Sequence, residues 1–140
     1  NILITLPKHL IDNILSGEKR YEMRKCIAKS MELGTDGFFV VEKGTNKIRC
    51  WCRVDSIIGQ CMTIDEAKRL SKVLCVSTQY ILNYAQVGTT IYLWKIGKVV
   101  KFVGLHRESL QICKNPQQFA YCHMSYEEII AYGEWKLIRS

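Results

Sequence analysis

The sequence predicts an α+β fold: a small, mainly antiparallel β-barrel of about five to six strands, with helices packed at one side. Three observations carry this expectation. Short apolar or alternating runs recur with turn residues between them. Three helical patterns interrupt these runs before residue 90. Most successive strands have no helical crossover between them, which favours antiparallel pairing. At 140 residues the chain suits one domain, and a chain of this size buries about two-thirds of its unfolded surface. Residues 1–105 are assigned to the barrel. Residues 106–140 are assigned to a C-terminal extension packed on the same domain.

Residues 2–6 read as a buried strand. Pro7 suits the first helical turn, where its missing N–H costs nothing. Leu10, Ile11, Ile14 and Leu15 then recur at helical spacing, and Ser16-Gly17 stops the helix, since glycine readily adopts the left-handed cap conformation. Residues 20–26 are a strand. Residues 34–37 turn into a strand at 38–42, and 43–46 form a hairpin loop. The next strand alternates, with Ile48, Cys50, Cys52, Val54 and Ile58 on one face and Lys47, Arg49, Trp51, Arg53 and Asp55 on the other. Thr63 and Glu66 form a capping box before a helix whose apolar face is Ile64, Ala67, Leu70 and Leu74. Ser77 caps a second helix carrying Tyr80, Ile81 and Tyr84, which Gly88 ends. A long strand spans 90–102, with a bend expected at Gly97. In the extension, 114–116 form a turn, Ser125 and Glu128 cap a short helix closed by Gly133, and 135–138 form a last strand.

Composition narrows the function classes. The formal charge of +7 points to an anionic partner, with nucleic acid the commonest. Residues 19–29 hold five cations against Glu22, and residues 95–107 hold four cations and no acid. Seven scattered cysteines argue against a secreted disulfide framework and for a reducing cytoplasm. Cys50 and Cys52 make a lone C-x-C without a second pair at zinc spacing, and the histidines at 9, 106 and 123 have no ligand spacing, so no metal or other cofactor is expected. No apolar run approaches the roughly 20 residues that span a bilayer, so no membrane partner is expected. The start, Asn1-Ile2-Leu3-Ile4-Thr5, lacks the pattern of a secretory signal and an initiator Met, and reads as trimmed or processed.

The most informative segment is Gly17-Glu18-Lys19-Arg20-Tyr21-Glu22-Met23-Arg24. On a strand, Arg20, Glu22 and Arg24 share a face, and Lys19 can swing toward it. A carboxylate between cations stays ionised, and the cations keep donors for phosphate. Arg24 suits two-pronged contacts, while Lys19 acts as a point charge. The bland alternative is an ion-pair lattice that fixes a helix-to-strand corner.

This segment fits G-x-K-x-x-E-x-R at every fixed position and, placed after a short amphipathic helix, resembles the ASCH domain, a small PUA-like barrel associated with RNA. The segments at 2–7, 14–19 and 92–102 are similar to family segments. Asn115-Pro116-Gln117-Gln118-Phe119-Ala120-Tyr121 is similar to the endings of some bacterial members. The resemblance implies a cleft that binds RNA or a nucleotide, lined by Lys19, Glu22 and Arg24 with Ser16 and Gly17 shaping its lip. It also implies an alternative, a nucleoside-directed hydrolase of the N4-acetylcytidine amidase or ribonuclease kind, with Lys19 and Glu22 as catalytic residues. Here the sequence departs from the amidase pattern: Glu22 stands where a threonine is used, and Leu74 and Cys75 stand near the place of a glutamate. Asp65 and Glu66 remain as acids of that helical region. A third reading is a protein-interaction adaptor with surface cations and an aromatic contact patch.

Outside the motif, Trp51 between Arg49 and Arg53 is either a base-stacking platform or a residue packed under a helix. Lys95, Lys98, Lys101 and Arg107 either track a phosphate backbone or protect a strand edge. Tyr21, Tyr80, Tyr84, Tyr92 and Trp94 are assigned to packing, as is Cys26, with a cation-activated thiol as its alternative.

Overall fold

The structure is a computed structural model and describes residues 1–109, 112–114, 120–122, 126–130 and 134–140. Strand β1 (Ile2–Leu6) leads through Pro7 into helix α1 (Lys8–Ser16), which buries Leu10, Ile11 and Ile14. Strands β2 (Tyr21–Arg24), β3 (Gly37–Glu42) and β4 (Ile48–Cys61) follow. Helices α2 (Ile64–Leu74) and α3 (Thr78–Tyr84) come next. The expected caps form: Thr63 Oγ1 accepts from the Glu66 N–H at 3.0 Å, and Ser77 Oγ accepts from the Tyr80 N–H at 3.1 Å. Strand β5 (Thr90–Val103) is continuous through Gly97, over which the Asp55 carboxylate lies too close for any side chain. Strands β6 (Ile112–Lys114) and β7 (Ala120–Cys122), helix α4 (Tyr126–Ile129) and strand β8 (Glu134–Arg139) complete the order. The 114–116 turn, the motif at 115–121, the Ser125 cap, Gly133 and His123 fall wholly or partly outside the described residues.

One sheet contains all eight strands, in the order β2-β5-β4-β3-β1-β7-β6, with β8 also on β5. Its pairs are antiparallel except β1 with β3. The α+β class and the antiparallel sheet are as expected; the closed barrel of five to six strands is not. The sheet stays open because the space beside β2 goes to helices instead of a strand: Met23 packs with Leu70 and Leu74, and Lys19 reaches the last carbonyl of α2. The extension is part of this sheet, since β7 pairs with β1 and β8 with the second half of β5.

Among the described residues, three apolar clusters form the core. The first joins α1 to β1, β3, β4 and the middle of β5, around Phe38 and Trp94. The second lies on the other face, where Phe39, Trp51, Val100 and Phe102 meet. The third packs Leu70, Leu74 and Ile81 of the helical pair on Met23, Ile91 and Leu93. The β4 alternation holds for Cys50, Cys52 and Val54, but a register shift at Val40/Val41 moves Ile48 to the second cluster, and Ile58 is exposed. No described helix is long and apolar enough to cross a membrane.

Candidate functional site

The chain between α1 and β2 builds the centre of the site. Gly17 takes φ 87°, and its N–H donates to the Ile14 carbonyl. The Lys19 N–H then donates to the Asn13 carbonyl at 2.9 Å, so the chain doubles back and the Lys19 side chain enters the molecule. Lys19 is 2% exposed. Its Nζ donates to the Tyr21 carbonyl at 2.7 Å and the Leu74 carbonyl at 3.3 Å. Leu74 ends α2, where the helix dipole favours a cation. An ammonium has three donors, and these carbonyls take two.

Glu22 is 6% exposed. Its Oε1 accepts from the Met23 N–H at 3.0 Å, while Oε2, also buried, has no hydrogen-bond partner and faces Arg24 Nη2 at 4.0 Å. A buried carboxylate oxygen without a donor is costly. Lys19, Glu22 and Arg24 all line one cavity of about 390 Å³. The β1–α1 corner contributes Thr5, Leu6, Pro7 and Leu10, the helical pair contributes Leu74, Val76, Tyr80 and Tyr84, and Met23 and Lys43 complete the wall. The cleft is apolar on two sides with a small set of charged groups at its base, the composition expected of a ligand site.

Tyr84 is half-buried, and Lys25 Nζ lies 4.6 Å from its ring centre. Burial pushes its phenol above the ordinary tyrosine range; Arg24 acts against this, and Glu22 and Cys26 add to it. The neutral phenol is therefore favoured in the folded state. Its contribution to stability is complete below pH ~10, the unfolded value, and is lost as pH rises above it. Ultraviolet titration of tyrosinate should show a late step that is absent from Tyr84→Phe.

Other expected site residues lie elsewhere. Ser16 and Gly17 form the turn without lining the cavity: Ser16 Oγ donates to the Asn13 carbonyl, and the Gly17 carbonyl accepts from Arg20 Nε at 2.7 Å. Arg20 precedes β2 and does not share the cleft face. Trp51 is 2% exposed, and its Nε1 donates to Asn1 Oδ1 at 3.1 Å, so it is neither a stacking platform nor an aromatic contact patch. Arg49 pairs with Glu42 and Arg53 with Asp55, each at 2.6 Å, and neither lines the cleft. Glu66 holds Arg69, which keeps its carboxyl below the usual range. Lys95 and Lys101 sit where β5 is paired on both sides, so they protect no edge, while Lys98 lies between the stretches paired with β2 and with β8.

The sequence reading missed Tyr80, Tyr84, Thr5 and Lys43 as cleft residues. Thr5 carried a signal, as the lone polar residue of an apolar strand. Tyrosines one turn apart on a short helix carried another, since a phenol suits a surface half apolar and half wet.

No protein-family model matches the sequence, and no curated protein sequence does. Among solved structures, ASCH from Zymomonas mobilis is similar at a TM-score of 0.69 and 14% identity, over 91% of this chain and 90% of that one. Two single-residue variants of the same protein give 0.69 and 0.67 at the same identity. The resemblance drawn from the Gly17–Arg24 motif and this likeness agree, and the chain has the fold of the Zymomonas mobilis ASCH protein.

Proposed function

We propose that the protein binds RNA, with one nucleotide seated in the cleft between β1, β2 and the helical pair. One observation carries this reading: Lys19 and Glu22, two buried charged side chains, line the same cavity of about 390 Å³. The remaining Lys19 donor and the unpartnered Glu22 Oε2 offer one donor and one acceptor for a base edge. Tyr80 and Tyr84 offer ring surface to the base. Arg24 and Lys43 supply positive charge for the flanking phosphates. The ASCH fold and the +7 charge agree with an RNA partner.

The test is anisotropy of a labelled single-stranded RNA octamer, titrated at low and moderate salt and competed with nucleoside monophosphates. With two to three phosphates neutralised, log affinity should fall against log salt with a slope of about −1.5 to −2. No binding by the wild type at low salt sinks the reading.

The open Glu22 oxygen also supports a hydrolase reading, in which it positions a water as general base beside Lys19. Turnover of acylated nucleosides or RNA that disappears in Glu22→Gln would establish that chemistry. An adaptor reading rests on surface cations and aromatics, and is weakened by the burial of Lys19 and Trp51.

A further inference from the structure

Among the described residues, Arg20, Arg107 and Arg139 lie outside the cleft without a carboxylate, and two of them, Arg20 and Arg139, come together. Arg139 lies on β8 opposite Val99, which is itself opposite Cys52, so its side chain runs across the first cluster's face of the sheet. Its Nε and Nη2 are buried without a hydrogen-bond partner. Nη1 rises over the turn after α1, where a methyl placed on Gly17 would lie 2.9 Å from it. The same methyl would lie 3.8 Å from Arg20 Nη2. Two guanidinium groups therefore flank one point above Gly17, one from the turn before β2 and one from the end of β8. Arg20 is fixed there through Nε, which donates to the Gly17 carbonyl. Among the described residues neither arginine enters an ion pair.

Like charges at such separation repel, and buried N–H groups without acceptors are unfavourable. Arg139 shows both effects, its pKa drawn below the ordinary value first by burial and then by the Arg20 charge. A tetrahedral dianion above Gly17 relieves the repulsion, since it faces Arg139 Nη1 and Arg20 Nη2 together. It has acceptors for two forks, and guanidinium planes match phosphate oxygens in pairs.

We propose that Arg20 and Arg139 form a phosphoryl-binding site above Gly17, separate from the Lys19–Glu22 cleft. Its ligand is a phosphate group, free or part of a nucleic-acid backbone. Arg20 follows directly on Lys19, so a nucleotide strand with one base in the cleft can lay a neighbouring phosphate here.

Arginine Nε–H resonances of the whole chain report on the site, assigned with Arg20→Gln and Arg139→Lys. Inorganic phosphate and a short phosphodiester, a dinucleoside monophosphate, are titrated separately against chloride at equal ionic strength. Both signals should move together and saturate with at least one probe; a response to phosphate alone marks a free anion, and one to the dinucleotide marks a backbone. Arg20→Gln should weaken the Arg139 response roughly tenfold, through loss of one of two charge-assisted donors. Arg139→Lys keeps a cation on β8 without the fork and should weaken the Arg20 response. Glu22→Gln should leave the response to inorganic phosphate unchanged, which separates this site from the cleft. Shifts no larger than those with chloride, or shifts equal in wild type and Arg20→Gln, overturn the proposal.

Discussion

Lys19→Met should lose both stability and RNA affinity. Methionine fills much of the volume but donates nothing, so the Tyr21 and Leu74 carbonyls lose their shared donor. Glu22, 6% exposed, loses a neighbouring cation in the same cavity. Breaking such an arrangement costs about 2–4 kcal/mol, or roughly 6–16 °C in Tm for a domain of this size. Binding to the RNA octamer, measured well below the new Tm, should weaken at least about tenfold, the loss of one charge-assisted contact. Glu22→Gln separates the two effects: the amide can still accept from the Met23 N–H, so Tm should change little while affinity falls. Wild-type affinity in a folded Lys19→Met protein would place the ligand elsewhere.

Trp51→Ala should destabilise the protein by about 3–5 kcal/mol, or roughly 10–20 °C in Tm, because it opens a cavity between Leu3, Phe39 and Val100 and removes one of the donors to Asn1 Oδ1. Arg49→Ala and Arg53→Ala each remove one partly buried ion pair. RNA affinity in both should stay within about two-fold of wild type, since neither arginine reaches the cleft. Calorimetry and anisotropy on the three variants decide between a packed tryptophan and a stacking platform. A stable Trp51→Ala protein that has lost RNA binding would restore the platform.

These two residues also show what could be read from the sequence. Lys19, Glu22 and Arg24 were legible because a glycine cap and period-two spacing are local, and local geometry alone brings the three to one cavity. Trp51 was assigned to the correct side of β4, but alternation cannot reveal that this side is buried too; Phe39, Val100 and Phe102, distant in sequence, decide it. Tyr80 and Tyr84 were placed on one helix, yet whether that helix faces a core or a cleft depends on where β1 and α1 end. The open sheet was illegible for the same reason, since closure depends on whether a strand or a helix stands beside β2. The pairing of β8 with β5, which carries Arg139 to Gly17, joins residues some 40 apart and leaves no local trace.

Strand β5 has one more consequence. Its 14 residues supply Ile91 and Leu93 to the helical cluster, Trp94, Ile96 and Val99 to the cluster under α1, and Val100 and Phe102 to the cluster on the opposite face. The three cores thus share a single spine. Any opening that frees this strand dissolves all of them, which ties the cleft's helical wall and the distant Trp51 face into one cooperative folding unit.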